Sequence, residues 1–218
     1  MANASTSMQY HNFEWLWKSN TDPWSAKEEA KWSRYSDIEN EIIEEAYQNK
    51  KDVALLDDYH IDLANRIQIS NTNVNNQRPV KRSEINRGDE GRLREQRFFS
   101  SPIHPKAPFY FREAYRIRSF FLEETFARIN FQGWSTKAKI EIVDEAARGL
   151  IEEGKLAGKQ REAEWMAKEL MRVREDNLVT IWKCCIRLYT MESFLYRKLN
   201  ETMRLAGSED MRDKVLWQ

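Results

Sequence analysis

FEWLWKS, residues 13–19, is the stretch on which the reading of the fold turns. Phe13, Trp15 and Trp17 alternate with Glu14, Leu16 and Lys18, the period of two that marks a strand with one aromatic face. Working outward, KWSRYS (31–36) holds a second short run with Trp32 and Tyr35, and DIENEIIEEAYQN (37–49) follows directly. Ser36 stands three residues before Glu39, the spacing of a capping box, so a helix is expected to start at Asp37 and to end near Asn49. Ile38, Ile42, Ala46 and, one step round, Ile43 form its apolar stripe, while Glu41, Glu44 and Glu45 are expected to face water. DVALLDDYHIDLANRIQIS (52–70) and QRPVKR (77–82) supply further short β-type runs. Between them SNTNVNNQ (70–77) is too polar to bury and reads as a hairpin loop. One helix backed by a strongly bent antiparallel sheet, an α+β arrangement, is the simplest packing of these elements.

Trp15, Trp17 and Trp32, with Trp24 in the gap between them, then one acidic helix and several short strands, resemble a WWE domain. That family is named for two tryptophans and a glutamate and is known for binding ADP-ribose or poly(ADP-ribose). The resemblance implies site residues one by one. In the family an aromatic stands just before an Asp-Leu pair, with a glutamine nine residues after the aromatic; Tyr59, ahead of Asp62 and Leu63, and Gln68 hold those places. Ten residues after the glutamine the family has an arginine followed by a basic run, matched by Arg78 and PVKR. Trp17 stands where a further pocket aromatic is found, a position at which many relatives carry tyrosine. The implied ligand-binding set is therefore Trp17, Tyr59, Gln68 and Arg78.

These residue types suit such a ligand. Adenine offers a flat face for Tyr59 or Trp17, with stacking worth about 1–3 kcal/mol per base in nucleic-acid sites. Gln68 can donate and accept at once, and Arg78 offers a planar fork of donors for a phosphate. Singly, Tyr59 reads as a core edge, Gln68 as a solvated strand residue and Arg78 as surface charge; the combination carries the signal. With Ile67 and Ile69 facing the core, Gln68 is expected to point the other way with Arg66 and Ser70. Strict alternation puts Arg78 on the face of Val80, expected to be buried, so a bend or bulge near Pro79 is expected to turn Arg78 into the pocket. Trp24, following the Asp22-Pro23 turn, reads as cover for the end of the barrel ahead of a place on the pocket rim.

Composition bounds the rest. The 218 residues hold 35 basic and 35 acidic side chains, so net charge argues for neither nucleic acid nor membrane. Distribution is more informative: residues 81–118 carry 10 basic against 5 acidic side chains, a run that reads as a solvated linker ahead of a second anion-binding surface. Cys184 and Cys185, the only cysteines, are adjacent, unsuited to an ordinary disulfide or a zinc site, and His11, His60 and His104 share no ligand spacing. Neither metal nor cofactor is implied. Without a long apolar segment, signal peptide or lipidation motif, an intracellular protein, cytoplasmic or nuclear, is expected.

The chain divides by character into a loose N-terminus (1–9), the WWE-like region (10–84), a charged and proline-punctuated linker (85–108) that should carry few contacts, and an all-α helical region (109–218). Helices are expected over 111–130 and over 136–153, the latter stopping at Gly154 as its C-cap. No Gly or Pro occurs from Gln160 to Leu205, which reads as one very long helix or two joined near Asp176-Asn177. Leu178, Ile181, Trp182, Cys185, Leu188, Tyr189, Leu195, Leu199 and Met203 form its expected apolar seam, a surface through which the chain could self-associate.

Within it, CIRLYTMESFLYRKLNETMR is similar to a segment of arginine-type mono-ADP-ribosyltransferases, in which Tyr189, Thr190, Leu195, Tyr196, Asn200 and Arg204 hold the matching places. In that family this helix lies upstream of the catalytic core, with its Arg, its Ser-containing strand and its Glu-x-Glu loop. No stretch here offers those three in order. The resemblance implies a shortened transferase relative or a fragment of one; a plain helix-bundle core accounts for the apolar positions, but not for Thr190 and Asn200 together. The expected function is thus a binding module for ADP-ribose or poly(ADP-ribose)-modified proteins, without catalytic residues. A shortened transferase and an interaction scaffold with a ligand-silent WWE fold are the alternatives.

Overall fold

The computed structural model describes residues 13–84 and 135–206, together with Ala127. The expected loose N-terminus, the linker and, Ala127 apart, the helix over 111–130 lie outside the described residues. The chain divides into two compact units between Phe98 and Phe99.

In the first unit β1 (Phe13–Lys18), β2 (Trp32–Arg34), α1 (Asp37–Gln48), β3 (Val53–Leu55), β4 (Tyr59–Asp62), β5 (Ile67–Ser70) and β6 (Gln77–Glu84) follow in that order. They build an open six-stranded sheet, ordered β2-β1-β6-β5-β4-β3 and antiparallel throughout. β6 is the hinge of the topology: Gln77, Arg78 and Pro79 pair with β5, and Val80 to Glu84 pair with β1. Pro79 sits where β6 passes from one neighbour to the other, a place that tolerates the missing N–H. The strand runs unbroken from Gln77 to Glu84, so the expected bulge at Pro79 is absent.

α1 begins as its sequence dictates. The Ser36 hydroxyl accepts from Glu39 N, and the Glu39 carboxylate accepts from Ser36 N at 3.0 Å, closing a complete capping box. The helix meets β1 and β3. Trp15, Tyr35, Ile43, Ala46, Ala54, Leu56, Ile61, Leu63 and Val80 make one core, with Trp17 and Ile42 packed against it. Glu44, expected to face water, is instead fully buried. Its carboxylate accepts from Trp15 Nε1 (2.8 Å), from Gln48 Nε2 (2.7 Å), and from Arg82 through Nε (2.9 Å) and Nη2 (2.7 Å). Four donors from three side chains, one of them the Arg82 cation, explain how a charged group sits inside this core.

The second unit contains α2 (Thr136–Leu156), α3 (Gln160–Arg172), α4 (Leu178–Thr190) and α5 (Phe194–Ala206), and no strand among its described residues. Ser135 caps α2, accepting from Ala138 N at 3.0 Å. Gly154 does not end that helix. It lies inside, where an added Cβ would meet Ala163 Cβ at 2.2 Å, so its role is close packing of α2 on α3. The stop is Gly158, at φ +67°, with Lys159 N donating to Gly154 O at 2.7 Å. Asn177 caps α4 through Thr180 N, as a junction near Asp176-Asn177 requires.

A second break, at Met191–Ser193, makes three helices of a span expected to be one or two. It needs neither Gly nor Pro: the buried Glu162 of α3 accepts from Phe194 N at 3.4 Å, so a tertiary contact takes the first N–H of α5. The seam of α4 also differs from the expected one. Ile181, Cys184 and Leu188 are buried, whereas Leu178 and Trp182 are 48% and 67% exposed, because it is the stripe at 181, 184 and 188 that turns inward.

Candidate functional site

Residues opposite each other on neighbouring strands share a face of the sheet, and alternation along a strand extends the assignment. Ile61, at the centre of the core, pairs with Gln68, and Gln68 pairs with Arg78. Arg78 shares its face with Val80, and Val80 pairs with Trp17. Tyr59 lies two residues before Ile61 and opposite Ser70. Trp17, Tyr59, Gln68 and Arg78 therefore all stand on the core face. The four residues singled out in the sequence share one face of the sheet, and β6 is continuous through Pro79, so no bulge is needed to bring Arg78 there.

The expected orientation of β5 is reversed. Gln68 and Ser70 are buried, while Ile67 and Ile69 are only partly so. Arg66 is no strand residue at all: it occupies the β4–β5 turn at φ +55°, where the Asp62 carboxylate accepts from Asn65 N and Nδ2. Those bonds also hold the Asp62 carboxyl below its ordinary range. The hydrophobic pattern of IQIS suggested the opposite face because a buried glutamine breaks that pattern unless it has a buried partner. Here the partner is Tyr35, whose hydroxyl donates to Gln68 Oε1 at 2.6 Å.

Arg78 has a double engagement. Its guanidinium lies 5.4 Å from the centre of the Trp17 ring, and its Nη1 donates to Lys18 O (3.0 Å) and Asn20 O (2.8 Å). Asn20 is itself buried and pins the base of the β1–β2 loop, accepting from Lys31 N at 2.8 Å and donating to Glu29 O at 2.9 Å. The arginine thus ties the loop to the face. Trp24, expected to cover the end of the barrel, is 57% exposed, its backbone N–H held by the Asp22 carboxylate at 3.0 Å.

The sequence reading missed Tyr35 and Glu44 as polar organisers. Tyr35 was seen only as an aromatic in a short run, and Glu44 as one more acid on a helix; their partners are 33 and 38 residues away. In the second unit, the residues on which the transferase resemblance was drawn carry local structure, and no comparison supports that resemblance. Tyr189 Oη donates to Asn200 Oδ1 (3.2 Å), Asn200 Nδ2 donates to Tyr196 O (2.7 Å), and the rings of Tyr189 and Tyr196 lie 5.5 Å apart. Thr190 Oγ1 donates back to Ile186 O and Arg187 O. Thr190 and Asn200 thus have structural roles at the α4–α5 corner, which a plain helical core had not accounted for. Among the described residues no group of His, Cys, Asp and Glu could hold a metal, and no helix is long and apolar enough to cross a membrane.

Residues 13–82 match the family model of the WWE domain. The match falls within the sheet unit and spans β1 through Arg82 of β6. No curated protein and no solved structure matches the chain.

Proposed function

We propose that residues 13–82 bind ADP-ribose, free or as poly(ADP-ribose) on modified proteins, with Trp17, Tyr59, Gln68 and Arg78 as the contacting side chains. The observation that carries this reading is the shared face: an arginine stacked on Trp17, beside a buried glutamine, with Tyr59 on the same surface. A diphosphate between two sugars needs a cation with directed donors, and an adenine needs a flat surface and a hydrogen-bonding edge. This face supplies both, and the WWE match to the same residues supports the assignment. We place the module at 10–84, a linker at 85–108 and a helical region at 109–218, in an intracellular protein that acts without catalysis, cofactor, nucleic acid or membrane. Leu178, Val179, Trp182 and Ile186, all exposed on α4, are the surface for the self-association proposed through these helices.

Calorimetric titration of the full chain with ADP-ribose and a short poly(ADP-ribose) oligomer at fixed salt tests the reading. Arg78→Ala is expected to cost about 2–5 kcal/mol, the loss seen when one partner of a desolvated charged contact is truncated. Gln68→Ala costs less. Arg66→Asn is the control, an exposed turn position at φ +55° that asparagine accepts, and it leaves affinity almost unchanged. One observation favours a ligand-silent scaffold: Gln68 and Arg78 each have an internal partner that would explain their presence. A folded wild-type chain that binds neither ligand decides for the scaffold.

A further inference from the structure

Gln68 is a two-ended side chain, and the two ends are not equivalent here. Its Oε1 faces Tyr35, which ends the short segment between β2 and the cap of α1. Tyr35 and Gln68 are 8% and 5% exposed, so neither is free to exchange its partner for bulk water. Burial, with Glu39 and Tyr59 adding to it, pushes the Tyr35 hydroxyl well above its ordinary range, which keeps the proton on it. A protonated phenol with one proton, set 2.6 Å from an amide oxygen, donates to that oxygen. The amide is planar. Once Oε1 is directed at Tyr35, Nε2 and its two N–H groups occupy the other arm of the amide, in a side chain whose strand position shares a face with Arg78 and Tyr59. A free glutamine could match either edge of a base by flipping; flipped, this one would donate from Nε2 to the Tyr35 oxygen and leave the buried phenol proton without its acceptor.

Building on the ADP-ribose reading above, we infer that Tyr35 is a positioning residue that fixes the Gln68 amide with Nε2 outward, so that this face reads a hydrogen-bond acceptor of the base, a ring nitrogen of adenine, and not its exocyclic amino group. The site then discriminates by what the base accepts. A purine that keeps its ring nitrogens but lacks the 6-amino group satisfies Gln68 as well as adenine does. A purine whose only approach to Gln68 is a donor leaves a buried N–H facing an N–H and is rejected.

The test uses the full chain and three variants, Tyr35→Phe, Gln68→Ala and the double substitution, titrated with ADP-ribose and with its analogue carrying unsubstituted purine in place of adenine. Wild type is expected to bind the two ligands within about fivefold of each other, less than the loss of a well-made hydrogen bond to a buried group. Tyr35→Phe is expected to weaken ADP-ribose binding by about fivefold or more through release of the amide, and to weaken it no further when Gln68 is already alanine. That cycle separates positioning from packing, since a structural defect at Tyr35 would add to the loss from Gln68→Ala. A wild-type preference for adenine above fivefold overturns the inference, because Gln68 would then be reading the amino group. Equal binding by Tyr35→Phe, or a full additional loss in the Gln68→Ala background, overturns it as well. Should Tyr35→Phe fail to fold, the comparison of the two ligands on wild type still decides. Failure of wild type to bind ADP-ribose at all is a different result, and sinks the function rather than the role of Tyr35.

Discussion

Replacing Glu44 by glutamine should destabilise the sheet unit more than any other single isosteric change in it. The carboxylate is fully buried and takes four hydrogen bonds, two of them the side-on fork of Arg82. Burial by itself pushes its pKa up; the bonds from Arg82, Gln48 and Trp15, with the Arg82 charge, outweigh that and bring it down to about 2 from an ordinary 4.5. Arg82 in turn stacks on Phe13, 3.4 Å from the ring centre, and lies 5.0 Å from that of Tyr47, so its charge is enclosed by aromatics on the side away from Glu44. Glutamine keeps the shape but presents N–H groups to donors and leaves the guanidinium without a counter-charge. Truncating one partner of a buried pair costs about 3–5 kcal/mol. Because the Arg82 side chain keeps 18% of its exposure, the lower end of that range, about 3 kcal/mol, is the expected loss.

The same pair fixes a pH dependence. A carboxyl whose pKa is lowered on folding adds stability above its unfolded pKa and loses it as the pH falls through the folded value. The window here runs from about 4.5 down to about 2. Over that window wild type should lose roughly 3 kcal/mol that the Glu44→Gln variant never had, taking about 1.4 kcal/mol per pKa unit. Other carboxylates, Asp62 among them, titrate in both proteins, so the difference between the two curves is the quantity that counts. Hydrogen exchange of the β1 and β6 amides reports on this unit alone. Equal protection in the two proteins at pH 7, or a difference that stays constant between pH 5 and pH 2.5, would refute the assignment of Glu44 as the centre of a buried charged network.

In the helical unit, Gly154→Ala should lower stability by up to about 2 kcal/mol, since an overpacked contact costs about 1–3 kcal/mol and the helix propensity gained returns only about 1. Gly149→Ala, with nothing within 4 Å of its new Cβ, should instead raise it by about 0.5–1 kcal/mol; thermal unfolding followed by circular dichroism ranks the two. Cys184, its thiol pushed up to about 11 by burial with Cys185 and Glu169 adding, should react with a thiol reagent at pH 8 far more slowly in the native protein than in denaturant, and equal rates would contradict its burial. Incubated with NAD and acceptor proteins the chain should transfer no ADP-ribose; transfer abolished by a substitution within 135–206 would overturn the reading of that unit as non-catalytic.

The parts of this fold that were legible in the sequence are those set by neighbours a few residues apart. The capping box of Ser36 and Glu39 placed α1 to the residue, and the alternation in FEWLWK gave β1. The junction near Asp176-Asn177, one of two alternatives the sequence left open, is where Asn177 caps α4. Illegible were the features set by partners far along the chain. Gly154 looks like a stop from its own helix, and its actual reason is Ala163 on the next one. The break at 191–193 carries no Gly or Pro, and what meets the first N–H of the helix after it is a carboxylate from another helix, that of Glu162.

The expected orientation of the candidate face is wrong for one physical reason. Hydrophobic periodicity assigns polar residues to the outside, and by that rule Gln68, Glu44 and Arg82 were all misplaced or unremarked. Gln68 and Glu44 are buried, and Arg82 is drawn to the core face, on the strength of a specific polar partner, which periodicity does not count. Arg78 exposes the error from within the sequence. Its spacing from Val80 put it on the core face, and a bend or bulge at Pro79 was invoked because that face was expected to be buried. Taken at its word, the alternation R-P-V-K-R places Arg78, Val80 and Arg82 on one side, and the ladder then draws Gln68 and Ile61 to that side with them. The core face of the sheet carries two charged arginines. One is neutralised by Glu44 under α1; the other, among the described residues, meets backbone carbonyls and the Trp17 ring and no carboxylate, which is the difference the proposed anionic ligand would use.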